Sequence, residues 1–91
     1  MAKIYRFTFK KKVKREFIEL CVAIAVIAVE SLFGMPKVRL SASYAAFESR
    51  IVIEVVGKVG AYVLEVFMGL MNRFVGERNY KVEEVKKNES R

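Results

Sequence analysis

A chain of 91 residues amounts to one domain, and at that size it buries only about 60 to 65% of its unfolded surface, which leaves a marginal core. Its 54% hydrophobic and 30% charged residues describe a globular chain, and it contains no His, Asp, Trp or Gln. A Ser-His-Asp triad, a histidine general base and a His or Asp metal site are therefore excluded within the chain. No cofactor motif is expected and the reading is of a non-enzyme. The net charge of +7 is uneven: residues 1–45 hold nine Lys/Arg against three Glu, residues 46–91 eight against seven. Such a field attracts polyanions, nucleic acid foremost. Abundant Glu, Lys, Arg, Val and Ile with few amides fits work at high temperature.

Lys3 to Lys10, KIYRFTFK, alternates with period two. Tyr5, Phe7 and Phe9 fall on one side and Ile4, Arg6, Thr8 and Lys10 on the other, as in a half-buried strand. Met1 to Val13 is basic and amphipathic, without the charged-then-apolar order of a signal peptide. The run Lys10, Lys11, Lys12, Lys14 and Arg15 follows; consecutive cations at a helix entrance neutralise phosphates without reading sequence.

Phe17 to Phe33, FIELCVAIAVIAVESLF, reads as a helix with too much apolar surface. At roughly 100° per residue, Glu16, Glu19, Ala23 and Glu30 share one narrow side, and apolar residues fill roughly 260° of the wheel. One stripe is Phe17, Leu20, Cys21, Ile24, Ile27 and Ala28; a second is Ile18, Val22, Val26, Val29 and Phe33. A helix on one layer needs a stripe only about 100° wide or somewhat more. Leaving Val22, Val26, Val29 and Phe33 in water forgoes on the order of 6 to 12 kcal/mol, comparable to a small domain's entire stability. The surplus predicts a protein partner, a second copy or a paralogue, with the second stripe as its interface. The apolar run Leu20 to Val29 is ten residues, short of the ~20 that a membrane span needs, so a cytoplasmic, reducing location is expected. Cys21, the lone thiol, reads as a small buried hydrophobe.

Gly34 and Pro36 stop the helix. PKVRLSASY then alternates, Val38, Leu40, Ala42 and Tyr44 against Lys37, Arg39, Ser41 and Ser43, which predicts a second strand. After a turn near Ala46 to Ser49, a third strand runs from Arg50 to Val56, and the short link makes the two an antiparallel hairpin. A second helix spans about Gly60 to Gly76, with Val63, Val66, Phe67, Leu70, Met71, Phe74 and Val75 on an apolar face roughly 200° wide. Phe67 and Met71 join the expected interface. The charged tail, residues 77–91, holds a short element at Tyr80 to Val85: Tyr80 and Val82 favour a strand, Val82 and Val85 a helix.

The predicted order is β-α-β-β-α with an optional last strand, a two-layer α+β sandwich with two helices on one face of an antiparallel sheet. Tyr5, Phe7, Phe9, Val38, Leu40, Ile51 and Ile53 are expected to face the helices, leaving Arg6, Thr8, Arg39, Ser41, Ser43 and Glu54 on the open face. An RNA-recognition motif shares this topology but stacks bases on open-face aromatics; here the aromatics take the inward register. An acylphosphatase-like phosphate cradle is ruled out because Lys10 to Lys14 contains no glycine. Gly57-Lys58-Val59-Gly60 resembles the GXXG clamp of KH domains; in the alternative reading Gly57 ends the strand and Gly60 opens the helix, with Lys58 still a candidate phosphate contact.

The layout resembles the small Pcc-type subunit of the KEOPS complex over roughly residues 3–75. AVIAVES (Ala25 to Ser31) is similar to the family's apolar helix ending in glutamate, VRLSASYAAFESRIVIEVV to its paired strands, and VLEVFMGLMNRFV to its closing helix. Glu65 and Gly69 stand where that helix typically carries Arg-Ala and Asn-Ser, which fits a diverged paralogue. The resemblance implies a non-catalytic subunit that dimerises, docks through its helices on the catalytic subunit of a tRNA threonylcarbamoyl-adenosine machine and helps hold tRNA. The alternative is a stand-alone nucleic-acid-binding domain using Arg6, Lys10, Lys11, Lys12, Lys14, Arg15, Arg39 and Lys58.

Overall fold

The computed structural model describes residues 2–86. In chain order the elements are β1 (Ala2–Phe9), α1 (Arg15–Phe33), α2 (Met35–Ser41), β2 (Ala42–Phe47), β3 (Arg50–Val56), α3 (Gly57–Phe74) and β4 (Tyr80–Val85), with one 3-10 turn at Glu77–Asn79. The sheet order is β2-β3-β1-β4 and every neighbouring pair is antiparallel. With helices packed on the sheet this is an α+β sandwich, and β4 completes a ferredoxin-like β-α-β-β-α-β arrangement.

Register explains the core. Phe7 lies opposite Ile51 on one side and Val82 on the other, and Tyr5 opposite Ile53, so the inward residues of three strands share one face. Phe7 is fully buried. It meets Phe67 of α3 edge-on at 5.0 Å and Tyr80 of β4 in a stack at 5.8 Å. From α1, Ile18, Cys21, Val22, Ala25 and Val29 point into this layer; from α3, Val63, Leu64, Phe67 and Met71 do so. The Tyr80 hydroxyl donates to Asn72 Oδ1, which satisfies it at the core's margin.

The expected strand over PKVRLSASY is overturned. Residues 35–41 form α2, and the strand begins only at Ala42. Gly34 turns the chain with φ +90°, and Pro36 sits in the first helical turn, where its missing N–H is not needed. Only Val38 of α2 is buried, while Leu40, expected to face the helices, is 84% exposed. Arg39 and Ser41 thus leave the sheet's open face, which keeps Arg6, Thr8, Ser43 and Glu54 but also carries an apolar strip of Ile4, Val52 and Val85. The hairpin turn is tighter than expected, confined to Glu48 and Ser49, with Ser49 at φ +57°.

At the tail, the two spacings that pointed to different structures are both satisfied by a strand. Val82 faces the helices opposite Phe7, and Val85 faces the other way opposite Ile4. The part of the charged tail beyond residue 86 lies outside the described residues. The GXXG segment is not a loop but the first turn of α3. Gly60 lets that turn approach α2: an added Cβ would land on the Ser41 carbonyl oxygen and reach the Val55 Cβ at 3.0 Å. Gly69, further along α3, has nothing within 4 Å of such an atom. Opposite effects of one change are expected: Gly69→Ala raises stability by about 0.5 to 1 kcal/mol, whereas Gly60→Ala lowers it by more than ~1 kcal/mol through backbone overlap, as read from urea midpoints.

Candidate interaction surfaces

The apolar surplus of α1 is real, but the fold turns the opposite stripe outward from the one expected. Val22 and Val29, with Phe67 and Met71 of α3, are buried in the chain's own core. Val26 and Phe33 are half-buried, and Phe33 stacks on Tyr62 at 5.4 Å. Leu20, Ile24 and Ile27 are uncovered, at 56%, 42% and 62% exposure, in line along one side of the helix, and Leu32, more exposed still, lies off that row. Both stripes are apolar, so the wheel alone does not orient the helix. Packing against α3 and the sheet does.

Beside this row runs a groove of about 500 Å³ between α1 and β2. Val22, Ala23, Val26 and Ile27 form its α1 wall, Ala42 and Tyr44 its β2 wall, and Val38 and Arg39 come from α2. At its rim the Arg39 guanidinium meets the Glu30 carboxylate at 3.2 Å. β2 is one edge of the sheet, and among the described residues no strand pairs with its outer side. The opposite edge, β4, is YKVEEV and carries Lys81, Glu83 and Glu84; β2 is ASYAAF, without a charge.

The basic run is held rather than loose. Lys10 N–H donates to the Asn79 carbonyl at 2.7 Å, Val13 N–H to Ser49 Oγ at 3.0 Å, and Ser49 N–H to the Val13 carbonyl at 2.9 Å. Ser49 also accepts from Phe9 N–H at its carbonyl, 3.0 Å away. The loop is therefore clasped over the β2–β3 turn. Register brings Arg50 and Lys81 to this end, both opposite Thr8, and Arg78 lies beside Asn79. Sequence reasoning missed these three because their proximity comes from strand pairing and, for Arg78, from the hydrogen bond between Lys10 and Asn79. Two exposed aromatics flank the cations: Phe74, edge-on to Phe17 at 6.2 Å, and Phe47, with the Arg50 guanidinium 4.7 Å above its ring.

Of the other expected phosphate contacts, Arg15 stays with the loop and pairs with Glu19 at 3.5 Å. Arg6 lies on the open sheet face and bonds Glu83 at 3.2 Å. Arg39 and Lys58 do not join the cluster. Ala2 pairs with Val56, so Lys58 lies at the far end of β1, roughly 25 Å from Lys10 at ~3.4 Å per residue.

Burial pushes the Cys21 thiol up, and burial followed by the Glu77 carboxylate pushes the Tyr80 hydroxyl up. Among the described residues no helix is long and apolar enough to cross a membrane. No family model, curated protein or solved structure matches the chain.

Both raised groups keep their protons longer in the folded chain than in the unfolded one. Stability is therefore expected to be flat on their account below the thiol range and to fall as pH rises past about 9, then 10; urea unfolding across pH 7 to 11 reads it, and Cys21→Ala removes the first part of the fall. Ser49→Ala should cost about 1 to 2 kcal/mol, because the Val13 N–H loses its acceptor, and should raise amide exchange at Val13.

Proposed function

We propose that this chain is a non-catalytic interaction subunit that joins another protein through α1 and the adjoining β2 edge and offers its clasped basic loop to RNA. The observation that carries the reading is the row Leu20, Ile24 and Ile27, left open beside an unguarded strand edge. Roughly half exposed, these side chains forgo on the order of 2 to 5 kcal/mol of burial, a large fraction of a small domain's ~5 to 15 kcal/mol. The resemblance in apolar spacing supports a narrower form, a KEOPS-like subunit of a tRNA threonylcarbamoyl-adenosine machine. The second reading, a stand-alone nucleic-acid-binding domain, is favoured by the loop, where backbone hydrogen bonds fix several cations at one end beside exposed aromatics.

The test is affinity purification of the tagged chain at moderate salt, with mass spectrometry of what co-elutes. A stoichiometric protein partner, lost by at least tenfold in Leu20→Glu/Ile24→Glu, is the expected result, and its identity decides the narrower form. Recovery of nuclease-sensitive RNA alone would favour the second reading. RNA affinity is expected to fall log-linearly with salt, and replacing Lys10, Lys11 and Lys12 by Gln should flatten that slope by about 2.

A further inference from the structure

We infer that the occupant of the β2 edge is a second copy of this chain, joined β2 to β2 in antiparallel fashion across a two-fold axis so that two four-stranded sheets become one of eight. This rests on the interaction-subunit reading and names the partner at one part of that surface. The two edges of the sheet are treated differently: β4 carries Lys81, Glu83 and Glu84, charged side chains of the kind that discourage strand addition, and β2 carries none. A two-fold strand pair requires a self-complementary segment, and ASYAAF, being neutral, brings no like charges together.

Geometry fits the groove as well. Ala42 lies opposite Val55 and Tyr44 opposite Ile53, which places Ala42, Tyr44 and Ala46 on the helix side of the sheet. In an antiparallel pair, facing residues share a side and stand about 5 Å apart. The second copy's Tyr44 would therefore stand at the mouth of the groove lined by Val26 and Ile27, where an amphipathic ring suits a half-wet apolar slot.

The net charge of +7 opposes self-association, but the two basic loops stay apart in this arrangement. The basic loop is clasped at the Phe47 end of β2 through Ser49. Antiparallel pairing sends the two loops to opposite ends of the joint, separated by six residues of strand, or roughly 20 Å. That is more than two Debye lengths at physiological salt, ~8 Å each. A parallel joint would bring the loops together.

A contact about 20 Å long and two layers deep, each ~10 Å, covers on the order of 400 to 500 Å² per copy. Doubled, that lies near the ~1,000 Å² threshold of a specific interface, so the dimer is concentration-dependent rather than permanent. Leu20 and Ile24 do not line the groove and stay available to a different protein.

The test is sedimentation velocity of the full chain from about 5 to 500 µM, with amide exchange of β2 read at both ends of that range. The mass is expected to double with concentration while the β2 amides gain protection. Ala45→Lys, on the exposed open side of β2, and Ile27→Glu should each weaken the dimer by at least tenfold with the circular dichroism unchanged; Leu32→Glu, on an exposed residue of α1 away from the groove, should not. A chain that stays monomeric throughout, or a dimer indifferent to both Ala45→Lys and Ile27→Glu, overturns the inference. A monomeric chain that still captures another protein through Leu20 and Ile24 overturns it while leaving the subunit reading intact. A β2 dimer that captures no other protein upholds it and narrows that reading to self-association.

Discussion

Phe7 is gripped from two directions, edge-on by Phe67 and face-on by Tyr80, and the rest of the architecture follows from that grip. It ties the middle strand to the last strand beside it and to α3 above. Aromatic pairs of this kind contribute roughly 0.5 to 1.5 kcal/mol each beyond simple burial. With α3 seated there, α1 roofs the rest of the sheet, toward β2. That strand offers only Ala42 and Ala46 and one half-exposed ring, Tyr44, beneath the helix. Small side chains under a wide helix leave an unfilled trough, so the groove and the bare edge have a common origin.

The same asymmetry separates the two kinds of surface. The apolar row sits on the helix layer, and the cations collect at one end of the strands, where Ser49 holds the loop through three hydrogen bonds. Apolar association and phosphate attraction respond differently to salt, because only the second releases counterions. On the proposed reading, keeping them apart on a domain this small lets one bind without desolvating the other.

Much of this was legible in the residues. The alternation of KIYRFTFK and RIVIEVV and the long apolar periodicities of the two main helices are strong signals, and the observed elements match them closely. Residues 35–41 were not legible, because seven residues of alternation also fit a single short helix, and the choice was made by Pro36 in its first turn and, at a distance, by the close approach of Gly60 to Ser41. The width of the α1 surplus was readable; its direction was not, since Val22 and Ile24 are equally apolar and only the core distinguishes them. The cation cluster was half readable. Consecutive lysines announce themselves, whereas Arg50 and Lys81 arrive by register, Lys58 is carried to the other end by the same antiparallel pairing, and Arg39 stands in α2 against Glu30.

The sheet's connectivity also shapes how the chain reaches this state. β1 occupies an interior position, yet its partners lie far along the sequence: Ile4 pairs with Glu54 and with Val85. Neither ladder forms until a long loop has closed, and that entropy comes before any contact rewards it. During synthesis α1 emerges well before the strands that cover it, at roughly 5 to 20 residues per second. For several seconds its two apolar stripes share one problem, which the completed fold then solves for only one of them. A late-closing topology therefore leaves the wide apolar surface of the first helix uncovered until the last strand docks.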